Sequence, residues 1–379
     1  MSALSAELLY LFFDSANMHR WNDHLRPLDL TELDKQAHKA SIAWILGKCG
    51  ESEGRDVDWC RIIEDCMFSF IRRAVLTDLK PQVFHRVVEE KMEQVNVFVL
   101  DEFDARVPDS DPVLRGRLED YLWRKEQSYE DRIVDAAHYL ATRWEFGLIY
   151  DSNRSRYGIS DTRDSMDQQI ETFMDVPGVS EMKFTGDTFN FMDLIGQLRF
   201  QQRWARAPRI PRTTVLGHSL MVANAMYLRD IDLGIGGRQL YNDFYTGLFH
   251  DLPEVLTKDV ITPIKMSVDG LADILEEYEK EQVECRIMPL LKSEWCDEFR
   301  FLVYEPFADV THPVFGPRNG GDLKICDLFA AYMEAHVSRC YGIGSKALSD
   351  GENEVRNKIQ KKGSGFGKGL MESLNSMRI

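Results

Sequence analysis

The residues of this chain best suited to chemistry are His218, His250, Asp251, Glu254, Asp259 and Asp327. A divalent ion needs several nitrogen and oxygen donors converging on one point, with positions left for water and substrate. His250 and Asp251 are adjacent within "LFHDLPEVLTKDVITPIK" (248–265). Neighbouring residues of a helix project about 100° apart, so such a pair can embrace an ion lying over that edge. His218 and Asp327 each interrupt an otherwise apolar helical pattern, where an unpartnered polar group is costly, and they are the further ligand candidates. Glu254 falls one turn beyond Asp251 and faces the same side. A carboxylate beside the metal but not on it is placed for general acid–base work. Each residue alone has a plainer explanation: a hydrogen-bonded core histidine, a helix cap, a bridging carboxylate. The ordered combination is what argues for chemistry.

The elements that must position these residues read as helices. Apolar spacing of the helical kind covers 34–49, 58–76 and 132–150 in the first half, and 215–230, 241–256, 268–291 and 320–340 in the second. Strand patterns are scarce, with weak candidates only at 94–102 and 179–184. The fold class is therefore all-α. Residues 151–190, rich in Asp, Ser and Gly, read as a connection, and the Gly-rich basic stretch 346–379 as a flexible C-terminal tail.

The two halves also echo one another. Arg20–Trp21 resembles Arg203–Trp204, His38 resembles His218, "AVLTDLKP" resembles "EVLTKDVITP", and Asp135 resembles Asp327. The interval from His38 to Val75 equals that from His218 to Val255. Matches kept in order suggest a duplication, with a degenerate helical lobe at 1–150 and an intact one at 191–345, paired as an internal pseudo-dimer. In this register Phe70–Ile71 stands where the second half has His250–Asp251, and Ala74 where it has Glu254. The first lobe would then be structural or regulatory.

His, then His-Asp, then Asp on successive helices resembles the HD-domain metal-dependent phosphohydrolases. The fuller pattern, "RW…GHSL", "LFHDLPEVLTKDVITPIK" and "CDLFAAYMEA", resembles their bacterial 5′-deoxynucleotidase branch over about residues 195–345. The resemblance implies tandem HD-like lobes and one divalent metal ion, manganese or cobalt with magnesium or zinc as alternatives, on His218, His250, Asp251 and Asp327. It implies that Glu254 activates water or passes a proton, that Arg203 clamps the phosphate with Trp204 beside it, that Asp259 meets the sugar, and that Thr262 and Lys265 lie along the substrate. The reaction implied is removal of the 5′-phosphate from (deoxy)nucleoside monophosphates. The alternatives are a deoxynucleoside triphosphate triphosphohydrolase, kept in view by Arg206, Arg209 and Arg212, and a non-catalytic nucleotide sensor. A di-iron oxygenase would need two more ligand histidines between His-Asp and Asp327, where only His312 occurs. The chain departs from the family in length, in its loop 305–322, and in having Gly217 before His218 where a Glu is usual.

Composition sets outer bounds. A net charge of −16 over 379 residues argues against a nucleic-acid polymer as the main ligand, because polymer binding rests on cations; a small nucleotide needs only a local basic pocket. Seven scattered cysteines with no CxxC pair suit reduced thiols in a cytoplasmic setting. The apolar start lacks the basic leader of a signal peptide, and no run reaches the roughly 20 apolar residues of a membrane span. A further homo-oligomer is left open.

Overall fold

The computed structural model describes residues 2–76, 81–257 and 271–379, with backbone alone at 81–89 and 271–273. In chain order the helices used below are α1 (Ala6–Asp14), α2 (Glu32–Ser52), α3 (Trp59–Leu76), α4 (Pro81–Arg106), α5 (Pro112–Trp123), α6 (Tyr129–Asn153), α7 (Ile159–Glu171), α8 (Val179–Lys183), α9 (Asp187–Gln197), α10 (Val215–Leu233), α11 (Gly237–Phe249), α12 (Glu254–Thr257), α13 (Leu271–Gln282), α14 (Cys296–Val303), α15 (Gly320–Cys340), α16 (Lys346–Lys361) and α17 (Gly365–Ser376). Among the described residues the sheet structure is one short antiparallel hairpin, β1 (Val310–His312) with β2 (Gly316–Arg318), which pairs Val310 with Arg318. The all-α expectation holds.

Two central helices, α2 and α10, pack on each other and are buried on nearly every face. A helix that is apolar or partnered all round belongs inside. Both start the same way. The Thr31 hydroxyl accepts the Asp34 N–H, and the Thr214 hydroxyl accepts the Gly217 N–H, each meeting one of the orphan donors of a first turn. One hydrophobic core runs through both halves, from Ala3 to Leu374. Trp44 of α2 sits among Phe191, Tyr245, Phe249, Trp295 and Phe299, and its indole N–H donates to the Tyr241 hydroxyl at 2.8 Å.

Three local expectations are corrected. Residues 94–102 belong to α4 and 179–184 mostly to α8, not to strands. The alternating valines misled, because burial falls on Val95, Val99, Leu100 and Phe103, a helical spacing, while Val97 and Phe98 are exposed. The connection 151–190 carries α7, whose Ile159 and Met166 pack with Leu30, Phe146 and Ile149. The segment 346–379 is not a loose end: Ser345 and Ser364 cap α16 and α17, and Leu348, Ile359, Leu370, Met371 and Leu374 are buried.

Candidate metal centre

Thr214 starts α10, and His218 follows on its first turn, buried. His250 follows α11 directly, and Asp251 opens the short turn that leads into α12. Asp327 comes from the second turn of α15, whose first turn is capped by the Asn319 side chain. Four side chains from three distant segments of the chain thus meet. One donor atom from each of His218, His250 and Asp251 lies within 4.8 Å of the others, the one such group among the described residues. Asp327 closes the set: its Oδ1 is 3.0 Å from His218 Nε2 and 3.9 Å from His250 Nε2.

The donors fit a divalent ion. His250 Nδ1–H donates to the Gly247 carbonyl at 2.8 Å, which fixes the tautomer and leaves Nε2 facing the carboxylates, 3.3 Å from Asp251 Oδ1. That nitrogen is buried and makes no hydrogen bond among the described residues, an arrangement that costs free energy unless a ligand arrives. Holding one ring nitrogen on a carbonyl while the other faces the ion is how ligand histidines are oriented. His218 Nδ1 is likewise buried, 3.8 Å from Glu334 Oε1.

Electrostatics follow the same logic. Burial penalises the Asp251 carboxylate, yet His250 and Arg203 outweigh it and hold its pKa below the usual range. Burial also opposes Asp327, and Lys324, His218 and His250 pull it well down. For His250 burial lowers the pKa, and the Asp251 and Asp327 carboxylates more than compensate, so it ends raised. Both carboxylates are therefore ionised, the state a metal requires.

Around this set stand residues that sequence reasoning missed. Glu334, two turns beyond Asp327 on α15, accepts from Arg203 Nε at 3.3 Å, Trp204 Nε1 at 2.8 Å and Thr213 Oγ1 at 2.5 Å. Burial raises its pKa and Arg209, Arg203 and His218 reverse that, bringing it down to about 2. Lys324 donates to Asp327 Oδ2 at 2.7 Å and lies 3.8 Å from the Phe307 ring centroid. Phe307, from the loop 305–322, also packs edge-on to His250. Same-face spacing from Asp327 was the available signal for Glu334 and Lys324.

Of the expected substrate residues, Arg203 reaches the centre, with Nη1 3.3 Å from Asp251 Oδ2. Trp204 is held by Glu334, with φ 57°, and its ring lies against α16: a Cβ on Gly351 would come within 2.4 Å of it. Glu254 opens α12, and its carbonyl accepts from Gln201 Nε2 at 2.8 Å. Asp259, Thr262 and Lys265 lie outside the described residues. Gly217, just before His218, lies against the other half: a Cβ there would stand 2.7 Å from Asp34 Oδ1, which accepts from Thr214 Oγ1 at 2.6 Å.

The first half repeats the Arg-Trp loop closely. Isolated bridges join His19 to Thr31 and Gln202 to Thr214. Trp21 and Trp204 both take positive φ, 53° and 57°, and each indole donates to a buried glutamate, Glu145 or Glu334. The separation that pairs these residues pairs His218 with Lys35, not His38. Asp327 stands two turns before Glu334, and the residue at that distance before Glu145 is His138, not Asp135. The register read from sequence is thus corrected. Lys35 Nζ contacts His138 Nδ1 directly, so the positions matching a histidine–aspartate pair hold two nitrogen bases. His38 instead contacts the Met192 carbonyl at 3.0 Å and packs on Trp144, while Asp135 accepts from Gln127.

Residues 195–312 match the HD domain family. This segment, with its helical frame and His/His-Asp cluster, is an HD domain of the metal-dependent phosphohydrolase superfamily. Its relatives include 5′-deoxynucleotidases. That of Pasteurella multocida is 27% identical over 157 residues, 38% of this chain and 72% of the relative. That of Shewanella oneidensis is 26% identical over 148 residues, 37% and 69%. That of Vibrio cholerae is 27% identical over 151 residues, 38% and 72%. Among the described residues no helix is long and apolar enough to cross a membrane.

Proposed function

We propose that this chain hydrolyses the 5′-phosphate ester of (deoxy)nucleoside monophosphates at a single divalent metal centre, manganese or cobalt, built by its second half. The observation that carries the reading is the convergence of His218, His250, Asp251 and Asp327 beside the Arg203 guanidinium. A divalent ion held there would lower the pKa of a bound water toward neutrality and neutralise charge on a phosphoryl oxygen.

The chain's own residues supply the rest. Arg203 bridges Asp251 and Glu334; were Asp251 to hold an ion, the Nη side of the fork would be available to phosphate oxygens while Glu334 keeps its Nε side. Lys324 offers a second cation at the same spot. Glu254 takes a proton from the attacking water or gives one to the leaving 5′ oxygen. Lys35 and His138 leave the described residues of the first half without a ligand set, so we read that half as a degenerate copy that buttresses the catalytic one. Asp34 against Thr214, and Arg199 against Glu145 at 2.9 Å, supply that support.

The test is phosphate release from a panel of deoxynucleoside and nucleoside monophosphates with manganese or cobalt, comparing the wild type with Asp251→Ala. Metal-dependent release lost in the variant upholds the reading. Equal inertness of both proteins across the panel overturns it.

A further inference from the structure

A lysine is rarely buried without a partner for its charge. Among the described residues three are buried: Lys35, Lys39 and Lys48. Lys48 has two carboxylates, Glu51 and, at 2.7 Å, Glu298. Lys35 and Lys39 are 0% and 1% exposed, and among the described residues neither has a carboxylate within ion-pair distance. Lys39 Nζ donates to Ser69 Oγ at 2.6 Å and to the Cys66 carbonyl at 3.3 Å. Lys35 Nζ meets another nitrogen, Nδ1 of His138. Glu32, three residues before Lys35, is already held by Arg20 at 2.7 Å, Gln36 at 2.6 Å and Arg73 at 3.5 Å.

The place of these groups in the fold gives them a use. Lys35 and Lys39 are one turn apart on α2, so they share a face. That face meets α3 through Ser69 and α6 through His138. In the second half α10, the end of α11 and α15 enclose the metal centre, with Lys35 matching His218 and His138 matching Asp327. The first half thus puts amines where the second puts ligands for a cation. Burial holds Lys35 well below the usual lysine range and lowers Lys39. Burial, then Lys35, Lys39, Arg20 and Arg73, hold the His138 imidazole well below its own. Bases kept from their charge in this way regain it beside an anion. His138 is exposed, which leaves the group open to solvent. Asp135, one turn earlier on α6, accepts from Gln127 at 3.0 Å. It also lines a cavity of about 350 Å³ with Arg72, Asn96 and Tyr121, within the size range of small-ligand pockets. Asn96 is buried, and its Oδ1 has no hydrogen-bond partner among the described residues.

We propose that Lys35, Lys39 and His138 form a metal-free binding site for one phosphate group in the first half, at the place of the second half's metal ligands. The ligand class is a tetrahedral phosphate dianion, either orthophosphate or the phosphate of a small ester whose organic part enters the cavity beside Asp135. The two ammonium groups and the imidazole donate to the phosphate oxygens, and such charge-assisted hydrogen bonds are the strong ones. The site is separate from the Arg203 clamp and stands whether or not the second half hydrolyses nucleotides.

The experiment titrates the full chain by calorimetry with orthophosphate and with a deoxynucleoside monophosphate, in EDTA so that no divalent ion contributes. The variants are Lys35→Met, which keeps the buried stem, His138→Gln, at an exposed position, and Arg203→Met, which removes the clamp of the second half. Thermal melts check the folding of each, and should Lys35→Met fail to fold, His138→Gln decides alone. We expect the wild type to bind phosphate without metal. Lys35→Met and His138→Gln should each weaken that binding about tenfold or more, as the loss of a charge-assisted hydrogen bond implies. Arg203→Met should keep it. Tighter binding of the nucleotide than of orthophosphate identifies an ester as the ligand, and equal or weaker binding identifies free phosphate; both uphold the site. No metal-free binding by the wild type, unchanged binding in either folded first-half variant, or binding abolished by Arg203→Met overturns it.

Discussion

Replacing Glu334 by Gln should damage stability and substrate binding together, and the size of both effects follows from its contacts. The side chain is fully buried and holds Arg203, Trp204 and Thr213, with Arg209 and His218 close by. Its pKa falls from 4.5 to about 2. At 1.36 kcal/mol per unit, the paired carboxylate contributes roughly 3 kcal/mol, in line with the 3–5 kcal/mol cost of breaking a buried pair. The sign is that of a depressed acid: the native state releases its proton more readily than the unfolded chain. The contribution is therefore complete above about pH 4.5 and is lost as pH falls through about 2. Glu334→Gln keeps the shape and removes the charge, leaving Arg203 and Arg209 less compensated. Urea unfolding at neutral pH should show a loss of about 3 kcal/mol, with a flatter acid limb. Phosphate release should show KM raised roughly tenfold or more, since a charge-assisted hydrogen bond is worth about 1.5–3 kcal/mol. The twin variant Glu145→Gln, which frees Arg20, Trp21 and Arg199, should lower stability while moving KM far less. Wild-type stability and KM in Glu334→Gln, or equal KM effects in the twins, would refute the reasoning.

Other outcomes follow from single contacts. Gly351→Leu drives a side chain into the Trp204 ring, so it should cost about 1–3 kcal/mol of overpacking and reduce activity, read by thermal melting and phosphate release; an unaffected enzyme would show that α16 does not brace the loop. Tyr241→Phe leaves the buried Trp44 N–H without its acceptor and should cost about 1–3 kcal/mol in urea unfolding. Asp230 has both oxygens buried without a partner among the described residues, and burial, then Asp243 and Asp322, lift its pKa to about 9. The native state keeps a proton that the unfolded chain loses near pH 4, so this group costs stability as pH rises from about 4 to about 9. Asp230→Asn should raise the melting temperature at pH 8 more than at pH 5, and the reverse order would contradict the assignment.

Much of this was legible because the ligands are rare residue types in apolar helices. His218, His250–Asp251 and Asp327 stand out by type and order, and helical spacing placed α2, α3, α6, α10 and α15. The duplication was legible in kind but not in register. His38 falls three residues beyond Lys35, nearly on the same face of α2, so matching by residue type chose the wrong turn. The Thr caps and the Trp–Glu bonds decide it, and these are visible only when the loop closes. Glu334 escaped notice because a Glu in a helix is ordinary until its burial is known. The tail was misread because Gly and Lys dominate its composition while a few positions, Leu348, Ile359 and Leu374, carry its packing. Gly351 is there so that Trp204 can lie against α16, which looks like flexibility in a sequence and is a close contact in the fold.

The central claim is one catalytic metal centre in the second half and none in the first. Equilibrium dialysis of the full chain against manganese, with bound metal counted by atomic spectrometry, tests it most directly. The account predicts one ion per chain in the wild type, one in Lys35→Met, and none held tightly in Asp251→Ala. Two ions per chain, or one ion that survives the loss of Asp251, would contradict it.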